Sequence, residues 1–198
     1  MRSEQNWGIG DFADLATVVR GCAEQGAAFV GLNPLHALFP ANPWQFSPYS
    51  PSSRHFLNVL YIAIEHVAEF GHCAEAQATV RAADFQAELA RLRATPCVDY
   101  PGVAQAKLRI LRLLHAHFRR DKSAQTSARA VRFQAYCAER GESLRRHALH
   151  DAIDEHMRAV DGHRYWGWPM WPEELSGPTL PGVQAFEQAH AGLVEFHA

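Results

Sequence analysis

Few of the features that announce a function class are present in this sequence. No apolar run approaches the ~20 residues that span a bilayer, so no membrane partner is expected. Met1-Arg2-Ser3-Glu4 leads into no apolar stretch of the kind a secretory signal requires. The formal net charge is -2 over 198 residues. That gives neither a basic field for nucleic acid nor an acidic tail. Cys22, Cys73, Cys97 and Cys137 stand far apart with no C-x-x-C between them. Reduced thiols in the cytoplasm are expected rather than disulfides. Gly8-Ile9-Gly10 lacks the rest of a phosphate-binding glycine loop, and no G-x-S-x-G elbow presents a serine nucleophile. The chain has 12 histidines but no H-E-x-x-H. His115 and His117 fall on different faces of a helix, and His147 with His150 has no carboxylate at a convincing third position. They read as solvated or hydrogen-bonded helix histidines, with no metal and no cofactor expected. No internal repeat or low-complexity tract is visible.

What is present is enough for one ordinary domain, with 47% hydrophobic residues. The stretch from Ala27 to Ile64 organises it. Ahead of it, Asp11 is placed as an N-cap and Asp14 lies in the first turn, where a carboxylate suits the helix dipole. Phe12, Leu15, Ala16, Val19, Cys22 and Ala23 recur at helical spacing, and Gly26 stands where a C′ glycine is expected. The near-continuous apolar run that follows predicts a buried, parallel-type strand at about residues 28–33. Helix, tight turn and strand make half of a βαβ unit. From Met1 to Gly10 the only large apolar residues are Trp7 and Ile9, so no strand precedes the helix. A unit that starts this way exposes a sheet edge. A piece of something larger is expected, with self-association of the free chain through that edge.

After the strand come Pro40, Pro43, Pro48 and Pro51, which exclude a helix. Ser47-Pro48-Tyr49-Ser50-Pro51-Ser52-Ser53 combines rigidity, hydroxyls and an aromatic face. A sugar ring has apolar C–H faces and a rim of hydroxyls, so it suits a flat aromatic flanked by short polar groups. A purely structural turn has the same composition, and both readings stay open on composition alone. Trp166, Trp168 and Trp171 pose a similar choice between stacking on a ligand and covering a core; covering is expected.

Beyond Ile64 the pattern is helical. Phe85, Leu89 and Leu92 form one stripe, ending near Pro96. Asp99-Tyr100-Pro101 reads as a helix start, with Val103, Lys107, Leu108, Leu111, Leu114 and Phe118 on its buried face. Lys122 to Thr126 reads as a polar loop. A long helical pattern follows, which Gly141 divides, with Glu142–Arg146 and Asp154–Arg158 as pairs on its wet face. One short helix from Pro181 to Gly192 closes the pattern.

Taken together, these segments resemble a known family. Asn6-Trp7-Gly8-Ile9-Gly10-Asp11-Phe12-Ala13-Asp14-Leu15 resembles the opening signature of the amylomaltases, or 4-alpha-glucanotransferases. Gly26 to Pro40 is similar to the family's second barrel strand, and Ser47-Pro48-Tyr49-Ser50-Pro51-Ser52-Ser53-Arg54 with Phe56-Leu57-Asn58 to its donor-sugar loop. Val98-Asp99-Tyr100-Pro101-Gly102-Val103 with Lys107 resembles a motif of its helical insertion, and Glu195-Phe196-His197 the start of the helix before the third strand. Two positions depart from the pattern: Val59 stands where proline is usual and Ala63 where aspartate is frequent, which removes a polar anchor.

The resemblance implies an α/β fold of the (β/α)8 TIM-barrel type. This chain would be a mostly α-helical fragment of it, with one parallel barrel strand and a helical insertion. Residues 1–64 would be the barrel segment, 65–180 the insertion and 181–198 the return toward the barrel. The implied activity is transfer of α-1,4-glucan segments between maltooligosaccharides by a retaining double displacement. That chemistry needs two carboxyl groups about 5–5.5 Å apart, which in the family lie on later strands than any matched here. No catalytic residue is therefore expected in this chain. Substrate-binding roles fall to Tyr49 as a platform beneath the sugar, to Ser47 as a hydroxyl partner and to Ser50 as a second one. The competing expectation is a non-catalytic helical scaffold or a glucan-binding remnant.

Overall fold

The computed structural model describes residues 3–121 and 125–198, so Met1, Arg2 and most of the expected polar loop Lys122–Thr126 lie outside the described residues. The chain divides into two compact units, Met1–Asp121 and Lys122–Ala198. Both are mostly helical, and among the described residues no helix is long and apolar enough to cross a membrane.

The first unit opens with helix α1, Phe12–Glu24. Asp11 accepts from the backbone of Ala13 and Asp14, while the Asp14 carboxylate accepts from the Asp11 N–H, a complete capping box. Gly26 follows at φ +83, the left-handed turn that ends the helix. Helices α2 (Ala74–Arg81), α3 (Ala83–Ala94) and α4 (Tyr100–Arg120) supply the core. The stripe Phe85, Leu89 and Leu92 is buried as its spacing predicts. On α4 the buried face holds Val103, Lys107, Leu108, Ile110 and Leu114. Ile110 takes the core position expected of Leu111, and Phe118 is only half-buried. The signature around Gly8 gains a physical meaning here. Trp7 is buried edge-on against Phe85, with ring centroids 5.4 Å apart. Gly8 turns at φ +86, and a Cβ there would meet that of Leu92 at 2.8 Å. Only glycine allows so close an approach at that φ.

The expected strand at residues 28–33 does not form. Residues 29–35 join no helix or strand; Leu35 O accepts from the Asn58 N–H at 3.0 Å, while Phe29 is 86% exposed. A parallel strand needs partners on both edges and cover on both faces, and these described residues supply neither. Instead β1 (His36–Ala37) pairs antiparallel with β2 (Ser53–Leu57), and this ribbon is the one sheet among the described residues. The parallel pairing expected of a barrel strand is thus replaced by a short hairpin-like ribbon. Beyond it Asn58 caps a 3₁₀ turn, Val59–Tyr61, its side chain accepting from the Leu60 N–H at 3.0 Å. Val59 fills the first position of that turn, which proline also suits because its missing N–H is not needed there.

The second unit is built on α5, Ala128–Asp161, which Gly141 divides at φ 50, ψ -128. Leu149, Ile153 and Met157 pack with Trp171, Val183 and Phe186. The expected last helix is two: α6 (Pro181–Ala189) and α7 (Ala191–His197), separated by the non-helical backbone of His190. Glu142–Arg146 is an exposed pair, as expected. Asp154–Arg158 is not: their side chains are 6% and 16% exposed. Arg158 bonds the Asp154 carboxylate at 2.9 Å and donates to the Trp166 carbonyl, which draws the pair under the tryptophan segment. Within that segment Trp171 alone enters the core, while Trp166 and Trp168 are exposed.

Candidate functional site

Residues 38–52 form the loop between β1 and β2. Its base is closed by the Ser52 N–H donating to Ala37 O at 2.9 Å and by the Ser52 hydroxyl reaching Leu38 O at 2.5 Å. Along the loop, successive turns are closed by Asn42 N–H to Phe39 O (2.9 Å), Gln45 N–H to Asn42 O (3.0 Å) and Ser50 N–H to Ser47 O (3.1 Å). The last of these turns carries Pro48 at its second position, where a fixed φ suits a β-turn. Ser47, Tyr49 and Ser50 therefore lie on a single tight turn, and all three are exposed.

Tyr49 has a specific anchor. Its ring is 69% exposed, yet its hydroxyl donates to Asn33 Oδ1 at 3.1 Å. The ring is held at its polar tip while its faces stay open. Next to this turn, Phe46 stacks on Tyr100 with centroids 4.5 Å apart and planes 5° from parallel. Tyr100 is half-buried, and burial raises its hydroxyl pKa, with Tyr61 adding to the rise. A largely apolar cleft of about 240 Å³ adjoins the loop's anchors, lined in part by Phe12, Leu15, Leu32, Asn33, Tyr61 and Tyr100.

The structure places Ser47, Tyr49 and Ser50 on one turn and adds Asn33 and Tyr100, which were not expected beside it. Asn33 lay in a run read as buried strand, and Tyr100 was absorbed into a helix start. The one available cue for Asn33 was its place before Pro34, where the chain is biased to extended backbone and the side chain stays outside a helix.

A second group of polar side chains is structural. Asn6 donates to Asp14 Oδ2 at 2.7 Å and accepts from the Gly8 N–H at 3.2 Å, and Arg93 Nε donates to Asn6 O at 2.7 Å. Burial would raise the Asp14 pKa, but donors from Ser3, Asn6 and the Asp11 backbone hold it below the usual value. In the second unit Asp151 lies 3.1 Å from His150 and 3.7 Å from His147. Burial depresses His147, whereas for His150 the hydrogen bond and charge of Asp151 outweigh burial and raise its pKa.

The geometry thus defines a helical chain that presents one braced loop, aromatic and hydroxyl-bearing, to solvent. Residues 1–198 match the family model described as 4-alpha-glucanotransferase. A 4-alpha-glucanotransferase of Haemophilus influenzae is 39% identical over 200 residues, covering 100% of this chain and 29% of the relative. Proteins of the same name from Mycobacterium bovis and Mycobacterium tuberculosis H37Rv are each 32% identical over 204 residues, covering 100% of this chain and 26% of the relative. The chain belongs to the 4-alpha-glucanotransferase family. It spans less than a third of the length of these curated relatives, 26–29%.

Proposed function

We propose that this chain supplies part of the glucan-binding wall of a 4-alpha-glucanotransferase, an enzyme that moves α-1,4-glucan segments between maltooligosaccharides with retention of configuration. The observation that carries the reading is Tyr49: an exposed ring, pinned at its hydroxyl by Asn33, on a turn flanked by Ser47 and Ser50. An open aromatic face held still can stack on a sugar ring without first losing rotamer freedom. Ser47 and Ser50 offer hydroxyls to the sugar's rim. In the complete (β/α)8 barrel, residues 1–64 form barrel wall, 65–180 the helical insertion and 181–198 the return to the barrel.

The reaction itself needs a carboxylate nucleophile and a carboxylic acid about 5–5.5 Å apart on either side of the glycosidic bond. In the family these lie on later strands than those matched by these residues, so the 198-residue chain binds glucan without cleaving it. The chemistry calls for no cofactor, since the two carboxyl groups suffice. The exposed apolar run at Phe29 and Leu32 pairs within the complete barrel; in the free chain it drives self-association. A cytoplasmic setting accords with four unpaired cysteines.

Maltotriose and maltoheptaose separate the parts of this proposal. Purified chain releases no glucose from maltotriose above a blank, and maltoheptaose perturbs its tyrosine and tryptophan fluorescence saturably. Glucose release overturns the inactivity. Absence of any maltoheptaose response at millimolar sugar favours the helical scaffold instead.

A further inference from the structure

Helix α4 carries two residues on one face, one against the Tyr49 loop and one against the segment beyond β2. Tyr100 and Lys107 stand about two turns apart, which puts both on the same side of the helix. Tyr100 meets the loop near its tip through the parallel stack with Phe46, the residue before Ser47. Lys107 meets the segment where the chain leaves β2. Its Nζ donates to Leu60 O and to Ile62 O, each at 2.8 Å. These carbonyls flank Tyr61 at the end of the 3₁₀ turn that Asn58 caps.

Lys107 is an unusual choice for that position. Its side chain is fully buried, and a lysine is seldom buried without a specific partner. Burial lowers its pKa to about 8, opposed by the nearby charges of Asp11 and Asp14. The Asp11 carboxylate, which caps α1, lies 4.0 Å away. A methionine of similar length would fill the same space but remove the hydrogen bonds to the Leu60 and Ile62 carbonyls, the first of them buried.

The geometry points to Tyr100 as a positioning residue that splints the glucan-binding loop through Phe46, while Lys107, on the same helix face, holds the chain just beyond β2 through Leu60 and Ile62. This rests on the loop being the glucan surface proposed above, but the splinting itself is read without sugar. It gives the Asp99-Tyr100-Pro101-Gly102-Val103 motif with Lys107 a role beyond starting a helix. The sugar's partners sit on the loop, and α4 sets how still they are held.

Hydrogen exchange on the 198-residue chain, followed at single amides with and without maltoheptaose, tests it. In Tyr100→Ala the amides of Ser50 and Ser52 exchange about tenfold faster, while those in the middle of α4 keep wild-type rates. Tyr100→Phe keeps the stack and restores the loop rates. In Lys107→Met the acceleration moves to Asn58 and Leu60. The maltoheptaose Kd rises on the order of fivefold in Tyr100→Ala and returns to the wild-type value in Tyr100→Phe. Unchanged loop exchange in Tyr100→Ala overturns the inference, as does acceleration spread evenly over α3 and α4, which marks a residue of the core alone. If Lys107→Met does not fold, the Tyr100→Ala and Tyr100→Phe pair decides. Loop amides that respond in a chain that binds no maltoheptaose uphold the splint and reject the glucan reading. A chain that binds maltoheptaose through Tyr49 while Tyr100→Ala alters neither exchange nor Kd rejects the splint alone.

Discussion

Helix α3 and the run from Ala27 to Leu35 are both apolar stretches of the first unit, and they meet opposite surroundings. Phe85, Leu89 and Leu92 of α3 are buried, whereas Phe29 and Leu32 stand in solvent. The difference lies in the backbone. A helix pairs its own N–H and C=O groups and needs cover along one stripe only. An extended run pairs nothing by itself and needs neighbours at both edges and on both faces. Where those neighbours are not among the residues present, the same hydrophobicity that builds a core becomes an exposed surface. Each large side chain left in water forgoes about 1.5–3 kcal/mol, against a net domain stability of ~5–15 kcal/mol.

Paired substitutions sharpen the contrast most. Leu92→Ala should lower unfolding stability by about 2–5 kcal/mol, because Leu92 is fully buried against the Gly8 turn. Phe29→Ser should change it by less than about 0.5 kcal/mol while reducing self-association in sedimentation. Equal destabilisation by the two would break the comparison.

A buried cation gives the next largest effect. With a folded pKa of about 8 against 10.5 for the free group, Lys107 binds fewer protons when folded than when unfolded between those values. Its burial therefore costs stability at and below pH 8, and that cost is relieved as the pH rises toward 10.5. Urea unfolding of wild type, measured relative to Lys107→Met, should show a gain of up to about 3 kcal/mol across that interval. The subtraction removes the cysteine and tyrosine titrations common to both proteins. A flat difference would mean that the ammonium is solvated.

The smallest effect falls within the exposed run. Asn33 lies in the exposed run yet anchors Tyr49. Asn33→Ala should leave the melting temperature unchanged and weaken maltoheptaose binding by about twofold, the loss of one exposed hydrogen bond.

How far the sequence could be read follows the same division. The caps at Asp11 and Asp99, the stripe on α3 and the break at Gly141 were legible because each depends on residues within a few positions. The strand at 28–33 was not, because strand formation depends on partners elsewhere in the chain. Asp154–Arg158 was misplaced on the wet face for a related reason: i,i+4 spacing fixes the pairing of two side chains but not what later folds over them. At the candidate site, the turn Ser47–Ser50 was legible from Pro48 and its hydroxyls. Its support from Asn33 and Tyr100 was not, since the first contact reaches back 16 residues and the second comes from helix α4.

Whether Tyr49 faces a ligand or braces the protein decides the glucan reading. Tyr49→Ala, assayed at once for melting temperature and maltoheptaose Kd, tests it directly. The account predicts a melting temperature within about 2 °C of wild type and a Kd raised on the order of fivefold or more, the loss of roughly 1 kcal/mol of stacking. A melting temperature lowered by many degrees with an unchanged Kd would make Tyr49 a structural brace and contradict it.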